Sequence, residues 1–223
     1  QYDVPDGYTS WEYLQKLCGE GFHKRYPYVT LNIMEAINFV AENSLEDNSI
    51  DLTIYNVHKF PENMDYQILR EEEIVLVLNK NHPLCEKAQP KEGFRHPWLD
   101  LKMLEKENFI LLYPDQNTGG IAQSLFKEYS MEPTVLLHTR NSAMSIRLAI
   151  QGLGAAFAPE SYFREESRFF PEGCCFSIGQ KPVLTTTIVA YQKKKYLSQH
   201  ARDYVEILKE YATSLSVSKG NDI

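Results

Sequence analysis

The sequence has 223 residues, enough for one large domain or two small lobes around a substantial core. Its 43% hydrophobic and 24% charged residues are ordinary globular usage, which excludes a disordered or fibrous chain. The 30 acidic against 23 basic residues leave a formal charge of −7, a poor match to nucleic-acid phosphates, and no apolar run nears the roughly 20 residues of a membrane span.

In chain order, Ser10 is placed to cap a helix whose apolar side is Trp11, Leu14, Cys18 and Phe22. Val29, Leu31 and Ile33 alternate with Thr30 and Asn32, the pattern of a strand. A second helix is expected over residues 38–47, with Val40, Ala41 and Leu45 apolar. Ile50, Leu52 and Ile54 predict a strand, and residues 66–69 another. Ile74 to Leu78 is a continuous apolar run, as in a strand covered on both faces. Residues 79–98 are rich in Lys, Pro, Glu and His and read as a loop region between lobes.

Alternation then resumes. A short helix is expected over 101–107, a strand over 109–112, and a helix starting at Thr118 with Ile121, Leu125 and Tyr129 on one side. Residues 135–137 read as a strand. Ser142 caps a helix carrying Ile146, Ala149 and Ile150, stopped by Gly152. Residues 155–158 and 185–191 read as strands, and residues 197–215 as the longest helix, with Ala201, Val205, Leu208 and Ala212 facing a core. Strands alternating with helices predict an α/β protein with mostly parallel sheets.

Enzyme signatures are thin. There is no Gly-x-Ser-x-Gly elbow, no phosphate-binding loop and no His-Glu-x-x-His. Gly152-Leu153-Gly154 follows a helix and precedes a strand, the reverse of a dinucleotide turn, so a helix stop is the better reading. The six histidines form no pair at metal-ligand spacing, and the four cysteines contain no Cys-x-x-Cys. Neither a metal nor a cofactor is expected, and the cysteines read as free thiols in a reducing cytoplasm.

The informative residues are short polar stretches where strand gives way to helix: Thr9-Ser10, Ile37-Asn38, Gln116-Asn117-Thr118 and Asn141-Ser142. In open α/β sheets these junctions lie at the carboxyl edge, where ligands bind, and helix N-termini suit anions. Ordinary helix capping uses the same residue types. Arg140, beside Asn141, is placed either to pair with an anionic ligand or to lie on the surface.

Several motifs together resemble the effector-binding domain of LysR-type transcriptional regulators. Phe22 to Pro27 is similar to the family's Phe-x-x-x-Tyr-Pro, and Ile50-Asp51-Leu52-Thr53-Ile54 to its Leu-Asp-Leu-Ala-Ile stretch. Val75 to Leu78 followed by His82-Pro83-Leu84 resembles its crossing strand and His-Pro-Leu. Asn141-Ser142 with Ile150 to Gly154 and Pro159 resembles its asparagine-serine helix and glycine turn. The resemblance covers residues 9–211. Ile37 departs from it, standing where the family commonly has Ser or Thr, and only residues 1–4 remain for the family's first strand.

The resemblance implies a two-lobe, type 2 periplasmic-binding-protein-like fold hinged by two crossover strands. Residues 1–79 with 184–223 would form lobe I and residues 80–183 lobe II. The crossings would fall near 78–83 and 180–186. A small polar or anionic effector would sit in the cleft, against Thr9, Ser10, Ile37, Asn38, Gln116, Asn117, Thr118, Arg140 and Asn141. The chain would be no enzyme. It would pair as a homodimer or tetramer, touch DNA only through an N-terminal helix-turn-helix absent from this sequence, and touch no membrane. Two rivals share the two-lobe shape: an extracytoplasmic solute-binding protein serving a transporter, and a prephenate-dehydratase-like lyase.

Overall fold

The computed structural model describes residues 22–32, 38–193 and 196–217. They form α1 (Phe22–Arg25), α2 (Asn38–Glu46), β1 (Thr53–Val57), β2 (Met64–Asn79), β3 (Asn108–Leu112), α3 (Asn117–Glu128), β4 (Thr134–Thr139), α4 (Ser142–Ile150), β5 (Ala156–Pro159), α5 (Glu160–Ser167), β6 (Gly173–Phe176), β7 (Leu184–Gln192) and α6 (Gln199–Val217). Two compact units result: residues 72–185, and residues 22–71 with 186–217. The chain passes between them inside β2 and inside β7. The first division falls at Glu71/Glu72, upstream of the 79/80 boundary implied by the resemblance, and the second at Thr185/Thr186. Residues 79–98 therefore lie wholly within one unit.

β2 explains the first shift. The expected strands at 66–69 and 74–78 are one strand of 16 residues, because Arg70, Glu72 and Glu73 stay extended and buried instead of turning out to water. Within the 72–185 unit, Leu76 lies opposite both Phe157 of β5 and Phe176 of β6, each antiparallel to β2. β3 runs parallel to β4, and a parallel bridge joins Phe109 to Ala155, just ahead of β5.

Alternation along β2 feeds two cores. Ile74, Leu76 and Leu78 pack with Ile121, Leu125 and Phe126 of α3. Val75 and Val77 pack with Ile146, Ala149 and Ile150 of α4 and Tyr162 of α5. All five β2 residues are at most 1% exposed, as the unbroken apolar run predicts for a strand covered on both faces. Phe109 and Phe157 stack and Phe126 meets both edge-on, with ring centroids 4.9–5.9 Å apart. Gly152, at φ +86°, ends α4 in the left-handed region that glycine alone enters cheaply, matching the expected helix stop.

In the other unit β1 pairs antiparallel with β7. Val189 of β7 packs with Phe22, Leu69 and Val205, Leu208 and Ala212 of α6. Ile188 and Ala190 pack with Leu45 of α2 and with Tyr55, Val57 and Met64.

Several expectations are corrected. The sheets are mixed, because β2 and β7 carry the chain between units and meet β5, β6 and β1 antiparallel. The strand expected from Ile50 begins at Thr53, where pairing with β7 starts. Residues 29–32 form no strand: Val29 and Leu31 half-bury against the α6 core, but the segment has no ladder partner among the described residues. The helix expected over 101–107 is a 3-10 turn, Leu101–Leu104. α5 and β6 fall where no element was expected.

Candidate functional site

Three helices start where strands end in the 72–185 unit: α3 after β3, α4 after β4 and α5 after β5. Each start presents backbone N–H groups that have no partner within the helix, and a partial positive charge. The chain supplies those groups differently at each.

At α5 the carboxylate of Glu72 accepts the Ser161 N–H at 2.8 Å. At α4 the cap is Asn141, not Ser142: Asn141 Oδ1 accepts the Met144 N–H at 2.6 Å, and Ser142 is the first helical residue. Asn141 is in turn fixed by its own N–H, which donates to Thr139 Oγ1 at 3.0 Å. At α3 the cap residue is Gln116, in extended conformation, and its own side chain makes no capping hydrogen bond.

The α3 start is built tightly. A Cβ on Gly119 would lie 2.1 Å from the Tyr113 carbonyl oxygen, so only glycine lets the helix approach the loop after β3 this closely. Gln116 Nε2 donates to the Arg140 carbonyl at 3.0 Å, while its buried Oε1 has no hydrogen-bond partner among the described residues. Asn117 Nδ2 donates to Thr185 Oγ1, on β7, at 2.7 Å. Thr118 is buried at 7% exposure. Amide and hydroxyl groups here both donate and accept, the chemistry of a polar-ligand site.

Arg140 is engaged elsewhere. Its guanidinium grips Asp115 through Nη1–Oδ1 at 3.2 Å and Nη2–Oδ2 at 2.9 Å and lies 4.7 Å from the Tyr113 ring centroid. That hydrogen-bonded pairing holds the Asp115 carboxyl below the ordinary range and raises the guanidinium. Asn38 is the first residue of α2, in the other unit. Thr9, Ser10 and Ile37 lie outside the described residues. Sequence reasoning missed Thr185 and Glu72. Each looks like one more residue of its strand, and only the partner 68 or 89 positions away reveals the contact.

Among the described residues no cluster of His, Cys, Asp and Glu could hold a metal, and no helix is long and apolar enough to cross a membrane.

Residues 12–213 match the family described as the LysR substrate binding domain. The HTH-type transcriptional regulator CfxR of Cupriavidus necator is 30% identical over 149 residues, which cover 66% of this chain and 43% of CfxR. The chain spans about half the length of the curated relatives it matches. Among solved structures, the CcmR regulatory domain of Synechocystis PCC6803, in complex with 2-PG, superposes with a TM-score of 0.77 at 20% identity, covering 93% of this chain and 94% of that one. The effector binding domain of QuiR, in complex with shikimate, gives 0.70 at 18% identity, covering 93% and 92%. The fold is thus the type 2 periplasmic-binding-protein-like fold of LysR regulatory domains. The relatives are transcriptional regulators rather than enzymes or transporter components, and the lyase and solute-binding readings give way. The chain belongs to the LysR substrate binding domain family.

Proposed function

We propose that this domain is the effector sensor of a LysR-type transcriptional regulator, and that a small polar or anionic metabolite binds at the start of α3, against Gln116, Asn117 and Thr118. The observation that carries the placement is the capping pattern. Glu72 occupies the α5 start and Asn141 the α4 start, whereas at α3 the Gln116 side chain turns away to the Arg140 carbonyl and makes no capping bond. A carboxylate or phosphate of the effector would take the place of that cap. Asn141 Oδ1 caps α4 and the Arg140 guanidinium holds Asp115, whereas Gln116 Oε1 has no hydrogen-bond partner among the described residues, so the proposed contacts centre on α3.

Binding would act through populations: an effector with higher affinity for one arrangement of the regulator shifts it toward that arrangement. Contact with DNA is assigned to a helix-turn-helix part, since the match covers only 43% of CfxR, which is named an HTH-type regulator. Homodimeric or tetrameric assembly is proposed from the resemblance, with two-fold pairing as the default.

A thermal-shift screen of this chain against carboxylate and phosphate metabolites identifies the effector, because a ligand of the native state raises the melting temperature. Calorimetry with that compound then compares wild type and Thr118→Val. Loss of a hydrogen bond to a charged group, about 1.5–3 kcal/mol, should weaken binding ten- to a hundredfold. Unchanged affinity in Thr118→Val, with a lowered melting temperature of the unliganded variant, would remove Thr118 from the site and leave it a packing residue.

A further inference from the structure

We propose that Cys85 and Cys174 are a reversible dithiol–disulfide couple that exchanges with low-molecular-weight disulfides. Their sulfurs lie 3.3 Å apart, bringing together residues 89 positions distant. Both are unbridged, and both are only partly buried, so a small disulfide has access. Cys85 sits in the 3-10 turn Pro83–Lys87, and Cys174 lies on β6 opposite Leu78. The thiols are steered by the end of β2: Cys85 Sγ contacts the Asn79 carbonyl at 3.3 Å and Cys174 Sγ the Leu78 carbonyl at 3.4 Å. To bond, the sulfurs must close from 3.3 Å to about 2.05 Å, a movement that a side-chain rotation and a short turn can supply.

The adjacent Cys175 does not compete. Successive strand residues face opposite ways, and Cys175 packs with the α4 core, its sulfur 3.6 Å from His96 Nδ1. Cys174 packs instead with the α3 core, as Cys85 does.

Cys85, on the short 3-10 turn, is the attacking thiol and Cys174, held on β6, the resolving one; burial, and then the contact with Cys85, pushes the Cys174 thiol up. The Cys85 thiolate attacks one sulfur of oxidised glutathione. The glutathione S–S bond breaks, and one glutathione thiolate leaves and takes a proton from water. Cys174 then gives its proton to solvent, and its sulfur attacks Cys85 Sγ. The mixed disulfide breaks and the second glutathione leaves as a thiolate, so that the two protons released by Cys85 and Cys174 are balanced by those taken up by the two glutathiones. Two protein thiols are oxidised, and one glutathione disulfide is reduced to two thiols.

The test equilibrates the full chain with a series of reduced and oxidised glutathione ratios and reads intact mass, peptide mapping and melting temperature. Wild type should lose two hydrogens, yield a linked peptide pair joining Cys85 to Cys174, and melt several degrees higher. Dithiothreitol should reverse all three. Cys85→Ser and Cys174→Ser should each abolish the link and the shift, the latter retaining glutathione on Cys85, while Cys175→Ser keeps both. Mapping each variant in its reduced form, with its own melting temperature, separates loss of the bond from loss of the fold. Wild type carrying only glutathione adducts, a link through Cys18 or Cys175, a link between chains, or no oxidation at any ratio would overturn the proposal.

Discussion

The Glu72 carboxylate on β2 receives the backbone N–H of Ser161, 89 positions away, at 2.8 Å. Glu72 is 1% exposed, so the bond forms out of water, with the start of α5 supplying the positive end of its dipole. Glu72→Ala should lower stability by about 1.5–3 kcal/mol, as for a lost bond to a charged group. Glu72→Gln keeps an oxygen acceptor and should lose roughly half of that. Urea unfolding of the three proteins checks the order. An alanine variant as stable as wild type would show that burying the carboxylate costs as much as the bond returns.

Arg147 and Glu166 form an asymmetric pair. Arg147 Nε meets Glu166 Oε2 at 2.6 Å and Nη2 meets Oε1 at 3.2 Å, and the carboxylate is 1% exposed while the guanidinium side chain is 43% exposed. Arg147→Ala leaves the buried carboxylate without this partner and should cost about 2–4 kcal/mol. Glu166→Gln removes the buried charge itself and should cost only about 1 kcal/mol. Chemical denaturation of both variants would contradict the asymmetry if the two costs were equal.

Gly119 and Gly120 lie side by side at the start of α3 but differ in room. A Cβ at Gly119 would sit 2.1 Å from the Tyr113 carbonyl oxygen, and one at Gly120 3.2 Å from that of Pro114. Gly119→Ala forces the helix off the loop and should destabilise by about 1–3 kcal/mol, the usual range for overpacking. Gly120→Ala needs a shift of a few tenths of an ångström and gains helix propensity, so its cost should be well below 1 kcal/mol, roughly neutral. Melting curves of the two alanine variants separate them, and Gly119→Ala should also disturb effector binding.

His96 carries a pH dependence. The Cys175 sulfur, 3.6 Å from Nδ1, and then the Glu160 carboxylate, 3.9 Å from Nε2, raise the imidazole to about 10. The folded value exceeds the unfolded one, so the protonated ring stabilises the fold fully below about pH 6.5 and loses that contribution as pH rises through about 10. Arg95 and Arg164 face Glu160 and share its charge, at 3.4 and 2.6 Å. The melting temperature of His96→Gln should therefore lie furthest below wild type near pH 6, and the gap should narrow steadily toward pH 10. A gap independent of pH would mean that packing, not charge, is what His96 contributes.

Residue order alone made legible the buried β2 run, the Asn117–Glu128 and Ser142–Ile150 helices to within a residue at their starts, the glycine stop at Gly152 and the family. These follow from local causes. Apolar spacing reports which residues must leave water, and a left-handed backbone position selects glycine. Tertiary structure alone decided that Arg70, Glu72 and Glu73 continue a strand, because a charged run reads as a solvated turn until distant groups cover it. It also decided which junction residues are caps. Asn141 and Gln116 are alike in sequence, both amides before a helix, yet Asn141 closes on Met144 while Gln116 reaches across to the Arg140 carbonyl. The same holds for the Cys85 and Cys174 sulfurs: hydrophobic periodicity fixes the face on which a side chain lies, and only the pairing of strands fixes what it meets there.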